Sequence, residues 1–273
     1  MTTEKTGSLV IIGGNEDKTN ECTILRKFIE LAGGRQARIA ILTTATELPR
    51  EVGDEYRSLF TELGAASAGI LYIANREAAN DFHQVSEIEQ ATGIFFTGGD
   101  QLRLTSILGG SRVDKAIRRA YEKGAIIAGT SAGASVMSDT MIVGGDSSDT
   151  PKKSTISMAH GMDLLEDVVI DQHFAQRGRI NRLLGAVAQN PYVLGVGVDE
   201  DTAVIVAPDG KLEVIGSQTV TVVDGKNIIH SNISESKPNE SLAITNVVLH
   251  ILPVGFGFDI RRRIPYLIKE DGK

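Results

Sequence analysis

Ser131 lies in Gly129-Thr130-Ser131-Ala132-Gly133, a G-x-S-x-G pentapeptide. The β-branched apolar run Ala125-Ile126-Ile127-Ala128 precedes it, and small residues that can start a helix follow. This pattern marks a strand–elbow–helix turn, which holds a serine hydroxyl above the carboxyl edge of a parallel sheet. The glycines are needed because the elbow forces the serine into a sparsely allowed backbone conformation where bulky neighbours would clash. The chemistry implied is nucleophilic catalysis by a serine hydrolase. The plain alternative is a small-residue turn that packs closely or binds a phosphate.

A serine hydroxyl is protonated at neutral pH and needs a general base. The chain has five histidines. His83 and His230 sit in polar, turn-like surroundings, and His250 lies in an apolar run that suits a core residue. His160 abuts Gly161 after a polar segment and is a candidate. His173 is the better one, because it follows the apolar run Val168-Val169-Ile170-Asp171-Gln172 and so sits at a strand's carboxyl end. An acid must then fix the base's tautomer. Asp199-Glu200-Asp201 follows the run Val193–Val198, and alternation points Glu200 away from its neighbours. Spacing alone leaves all three open, as it does a merely solvated acidic turn.

An oxyanion needs two backbone N–H donors, each worth about 3 kcal/mol of transition-state stabilisation. The Ala132 amide at the elbow is one candidate. Gly98-Gly99-Asp100, at the end of another strand, offers the second from Gly99 or Asp100. After His173 come Arg177, Arg179 and Arg182, with no acid among them. Such a cluster suits bidentate capture of substrate carboxylates, or else is a solvated helix start. Arg261-Arg262-Arg263 reads as surface charge.

These residues require a parallel sheet. Strands are expected at 8–12, 38–42, 69–73 and 93–96, with helices at 21–32 and 51–63. A capping box, Ser111 with Asp114, opens a helix whose stripe is Val113, Ala116, Ile117, Ala120 and Tyr121. Continuous apolar strands alternating with amphipathic helices indicate a parallel sheet covered on both faces, with ligands at the strands' carboxyl ends. Gly13-Gly14, Gly98-Gly99 and the elbow would then face one crevice. From about residue 201 the pattern changes to short strands at 202–207, 211–215 and 219–223, separated by Pro208-Asp209-Gly210 and Asp224-Gly225, with a last strand at 246–252. No linker intervenes, so residues 1–273 read as a single α/β domain whose residues 205–273 form an antiparallel β extension. The polar stretch 144–157 reads as a loop bordering the site.

The chain has 273 residues, 41% hydrophobic and 23% charged, which is enough for a large core. Its net charge of −7 argues against a general nucleic-acid binder. No apolar stretch is long enough to span a bilayer, and the first residues lack a signal-peptide pattern. Cys22 is the one cysteine, so neither an internal disulfide nor a cysteine-based zinc site is expected. A cytoplasmic protein is the expectation.

Four motifs in order, IGGNEDK, FTGGDQLRL, AGTSAGAS and DQHFAQRGRINRL, resemble the cyanophycinase family across residues 8 to 205. That family is related to aspartyl dipeptidase among serine peptidases with a class I glutamine-amidotransferase-like fold. The resemblance implies a three-layer α/β sandwich and a Ser-His-Glu triad, which maps to Ser131, His173 and Glu200. It implies substrate binding at Gln101, Asp171, Gln172, Arg177, Arg179 and Arg182, with Asp171 suited to a guanidinium. The implied substrate is cyanophycin, a polyaspartate with arginine on each β-carboxylate, cut from the end into β-aspartyl-arginine. A homodimer without cofactor or metal is also implied. The competing expectations are an α-aspartyl dipeptidase with the same triad and a non-catalytic binding protein of this fold. A glutamine amidotransferase is disfavoured because it uses cysteine at the elbow.

Overall fold

The run Leu9–Ile12 is buried at every position, and its alternate side chains enter different cores, which makes it an interior strand with both faces covered. The computed structural model describes residues 6–145, 150–153 and 156–269. In chain order, β1 (Leu9–Ile12) leads to α1 (Thr23–Leu31), β2 (Arg38–Leu42), α2 (Pro49–Glu62), β3 (Ser67–Leu71), α3 (Phe82–Gln90) and β4 (Gly93–Phe96). Helices α4 (Gln101–Leu108) and α5 (Arg112–Glu122) precede β5 (Ile126–Thr130) and the short α6 (Ala132–Ser135). Next come β6 (Thr140–Gly144), β7 (Ser157–His160), β8 (Val168–Gln172), α7 (Ile180–Gln189) and β9 (Leu194–Val198). Strands β10 (Thr202–Val206), β11 (Lys211–Gly216), β12 (Thr219–Asp224), β13 (His230–Ser231) and β14 (Ile244–Thr245) follow. The last are β15 (Val248–Pro253), β16 (Phe256–Asp259) and β17 (Ile264–Leu267).

The main sheet has nine strands in the order β17-β16-β11-β10-β1-β5-β4-β2-β3. Its β1, β5, β4, β2 and β3 are parallel, and the strands from β10 outward are antiparallel. One face carries α1 and α2 over Leu25, Phe28, Tyr56, Phe60 and Phe95. The other face carries Leu104, Val113 and Ile117 of α4 and α5, together with the inner side of a second sheet. That sheet, β15-β12-β9-β8, was not expected from the sequence. Its β8 and β9 run parallel, and α7 packs on its outer side through Leu183 and Val187.

The expected single antiparallel extension is therefore divided between two sheets. Pro208-Asp209-Gly210 closes a true hairpin between β10 and β11. Strands β11 and β12 are close in sequence but do not pair: Gly216, at φ 107°, turns the chain into the other sheet, where β12 pairs with β9 and β15. Beyond the expected last strand, β16 and β17 form a further hairpin on the main sheet's edge. There Pro265 is tolerated because an edge strand has a side without partners.

Local signals differ in smaller ways. Helix α1 starts at Thr23 because Cys22 is left-handed at φ 48°. Its amide, with those of Thr19 and Asn20, donates to the Asp17 carboxylate, which builds the preceding turn. The Ser111 hydroxyl accepts from the Asp114 amide, while Asp114 accepts from Gly110 and not from Ser111. Arg263 is no solvated charge: it pairs with Asp224 at 2.5 Å and donates to the Tyr192 carbonyl. His250 is half-buried, its ring 5.3 Å from that of Phe258. Of the expected loop 144–157, residues 146–149 and 154–155 lie outside the described residues.

Candidate active site

Ser131 leaves the carboxyl end of β5 at φ 54° and ψ −113°, the strained conformation an elbow demands. A Cβ on Gly129 would lie 2.3 Å from the Gly133 carbonyl oxygen, and one on Gly133 would lie 2.5 Å from that of Phe96. Both glycines of the pentapeptide are thus fixed by close approach. Helix α6 begins at the next residue, Ala132.

The second sheet supplies the partners. Parallel β8 and β9 are in register at Gln172 and Val198, so the residues that follow them emerge side by side. His173, at φ 48°, follows β8; its Nε2 is 2.9 Å from Ser131 Oγ and its Nδ1 is 2.6 Å from Glu200 Oε1. The other four histidines lie elsewhere, with His160 exposed at the end of β7. The acidic run separates into three roles. Asp199 turns inward and accepts from the Ala175 amide and from Thr219. Asp201 accepts from the Asp17 amide. Glu200 alone reaches His173.

The β1–α1 loop, which the sequence reading placed at the crevice only through Gly13-Gly14, contacts His173, Glu200 and the residue before Ser131. The Gly13 carbonyl accepts the His173 amide at 2.7 Å. Gly14, at φ 102°, lies under the imidazole, where an added Cβ would be 2.3 Å from Cε1. Asn15 Nδ2 donates to Glu200 Oε2 at 3.1 Å, and Glu16 accepts from Thr130 Oγ1, next to the nucleophile, at 2.6 Å. Gln176 also accepts the Glu200 amide. The signal available was the motif IGGNEDK itself, whose polar residues follow a buried strand at the ligand edge.

Burial holds the His173 imidazole below the ordinary histidine pKa, against the opposing hydrogen bond to Glu200. The imidazole is therefore neutral and able to accept a proton at neutral pH. The hydrogen bond from His173, and then that from Asn15, keeps the Glu200 carboxyl below its usual range. The serine, histidine and carboxylate thus form the chain of contacts that acyl transfer requires.

Of the expected oxyanion donors, the Asp100 amide is engaged by the Ala45 carbonyl at 3.0 Å, and the Asp100 carboxylate caps α4. That removes Asp100 from the role. The amides of Gly99 and Ala132 have no hydrogen-bond partner among the described residues.

The arginine cluster differs from expectation. Arg182 is 7% exposed and donates through Nε (2.6 Å) and Nη2 to Asp171, which is wholly buried. Arg179, also buried, adds a bond to Asp171 at 3.4 Å and donates to the Gln172 carbonyl and side chain. Burial lowers the Arg179 guanidinium to about 10, which leaves it charged. Asp171, Gln172, Arg179 and Arg182 therefore satisfy one another inside the protein, and Asp171 is not free for a ligand guanidinium. The physical reason is that Arg182 lies on the buried face of α7 with Leu183 and Ala186. Arg177 alone of the three is exposed, without a side-chain partner among the described residues, and its charge acts on both His173 and Glu200. Gln101 opens α4 and donates to the Ile142 carbonyl at 3.0 Å. Among the described residues, no group of three or more His, Cys, Asp or Glu is placed to hold a metal ion.

Comparison with known proteins shows the family and the fold. The chain is 42% identical over 257 residues to a cyanophycinase of Nostoc sp., which covers 94% of this chain and 86% of the relative. It is 40% identical over 259 residues to a cyanophycinase of Geminocystis herdmanii, covering 94% and 95%. Among solved structures, a peptidase from an acI-B1 Actinobacterium matches the fold with a TM-score of 0.66 at 20% identity, over 90% of this chain and 98% of that one. A putative peptidase E from Listeria monocytogenes EGD-e matches with 0.56 at 15%, over 78% and 100%. The model of peptidase family S51 matches residues 9–215, and with these relatives it shows that the chain belongs to that family.

Proposed function

We propose that the chain is a serine exopeptidase that hydrolyses cyanophycin and releases β-aspartyl-arginine dipeptides. The observation that carries this reading is the contact chain Ser131–His173–Glu200, at 2.9 and 2.6 Å, in a chain 42% identical to a cyanophycinase. His173 Nε2 takes the hydroxyl proton as Ser131 Oγ attacks the carbonyl carbon of an aspartyl peptide bond. Glu200 holds the Nδ1–H tautomer and stabilises the imidazolium. The Ala132 and Gly99 amides receive the oxyanion. The imidazolium then protonates the leaving amine, and water, deprotonated by His173, hydrolyses the acyl-enzyme. Arg177 receives a carboxylate of the departing unit, which its exposure beside the dyad supports.

The decisive experiment is incubation with insoluble cyanophycin and mass spectrometry of the soluble product. β-Aspartyl-arginine from the wild type, and none from Ser131→Ala, is expected. Release of free arginine, or no release by folded enzyme, would refute the reading.

We infer further a cytoplasmic homodimer with no membrane or nucleic-acid partner. Among the described residues no helix is long and apolar enough to cross a membrane. Leu249 and Ile251 of β15, with Ile264 and Leu267 of β17, expose apolar surface on the edge strands of the two sheets. Light scattering on a sizing column should give twice the chain's mass. We also read residues 1–273 as one peptidase domain, with 205–273 its extension, because β10, β11, β16 and β17 complete the sheet that β1 begins. Limited proteolysis should yield no stable fragment ending near residue 205.

A further inference from the structure

The cleft that opens on Ser131 carries charges the mechanism leaves unused. It has a volume of about 690 Å³ and runs from Ser131 and His173 between the β1–α1 loop and α2. Glu16 lines it although only 4% exposed. Each Glu16 oxygen accepts a single hydroxyl, from Tyr56 at 2.5 Å and Thr130 at 2.6 Å. Among the described residues no cation forms an ion pair with it. Two neutral donors leave lone pairs on both oxygens, and a buried carboxylate without a counter-charge is costly. At the rim, Lys18 Nζ stands 4.4 Å from the Tyr56 ring centroid and 3.2 Å from Glu55 Oε1. Lys18 thus pairs with Glu55 and leaves Glu16 without a counter-charge. Asp17 beside them adds negative field, while its carboxylate is engaged in the loop's own turn by the amides of Thr19, Asn20 and Cys22.

Arg177 beside the dyad adds positive charge to the site, whereas this cleft is net negative, with Glu16, Asp17 and Glu55 against Lys18. A cyanophycin unit presents a guanidinium and a carboxylate on its arginine branch, and the unit leaving from the chain's end adds a backbone carboxylate. That last carboxylate suits Arg177. The unit that acylates Ser131 then extends its branch toward the negative cleft.

We propose that this cleft is the specificity pocket for the arginine branch of the acylating unit. Glu16 is the inner acceptor of the guanidinium and Glu55 the outer one. Lys18, released from Glu55, takes the carboxylate of the same arginine. The proposal rests on the cyanophycin reading given under Proposed function. A Glu16 that only braced Thr130 would not discriminate substrates by their charge.

The test uses synthetic dimers of β-aspartyl-arginine in which citrulline, a neutral near-isostere, replaces arginine in either the acylating or the leaving unit. With the wild type, citrulline in the acylating unit should lower kcat/KM about tenfold or more, and in the leaving unit by less than about threefold. Glu55→Gln should lose roughly fivefold on the arginine dimer and add nothing to the citrulline loss, since both changes remove one interaction. Glu16→Gln should behave likewise with a larger loss. Should Glu16→Gln fail to fold, the half-exposed Glu55 decides the question. Loss confined to the leaving unit, equal cleavage of all three dimers, or variant losses that multiply with citrulline would overturn the pocket alone. A wild type that cleaves neither dimers nor cyanophycin would overturn the functional reading, and the pocket with it.

Discussion

Arg182 grips both oxygens of Asp171 inside the protein, with Asp171 wholly buried and Arg182 nearly so. Breaking a buried ion pair from one side leaves an uncompensated charge, at a cost of about 3–5 kcal/mol. Arg182→Ala should therefore lower unfolding free energy by that amount in a urea titration. Arg182→Met with Asp171→Leu should be more stable than either single variant. A variant with unchanged stability and raised KM would return Arg182 to the substrate.

Ser131 provides a second test, because its φ of 54° belongs to a region that glycine occupies with little strain. Ser131→Gly should abolish turnover and raise stability by about 1 kcal/mol. Ser131→Ala should abolish turnover too, without that gain, since it keeps the Cβ. Calorimetry of the two variants separates the effects.

The pH profile follows from His173. Its depressed pKa means that protonation, which removes the base, begins below the ordinary histidine value. kcat/KM should be at its plateau at neutral pH and fall as pH drops through the folded enzyme's His173 pKa. The midpoint should lie on the acid side of 6.5, the ordinary value. Glu200→Gln removes the group that stabilises the imidazolium, so kcat should drop by roughly ten-thousandfold. An acid limb centred above the ordinary histidine value would contradict the assignment.

Gly14→Ala places a methyl against the imidazole at 2.3 Å and forces His173 to move. A displacement near 1 Å costs on the order of a hundredfold in rate. Single-turnover kinetics should show the loss in acylation, with circular dichroism unchanged. Wild-type rates would mean that His173 is not held by this contact.

Ser131 and His173 were legible because each directly follows a buried strand, so local pattern places both at a sheet's carboxyl edge. The acidic run was not, because Asp199, Glu200 and Asp201 differ only in what lies across from them: Thr219, His173 and Asp17. The direction of Arg182 depended on the phase of α7, which starts at Ile180 and puts the guanidinium on its buried side. The second sheet was hidden for a related reason. A strand such as β12 has the same alternation whether it pairs with β11 or with β9, and only the corner at Gly216 decides.

The family match ends at residue 215, yet β9, the strand that delivers Glu200, is an interior strand only because β12, beginning at Thr219, pairs with it. A fragment trimmed to the matched segment would keep every catalytic side chain and expose one ladder of β9 to water. It would carry a raw edge open to pairing between chains, directly beneath the acid and the base. The motif-free tail is thus the piece that makes a set of catalytic residues into an enzyme, and a minimal active unit has to be cut by strand pairing, not by motif.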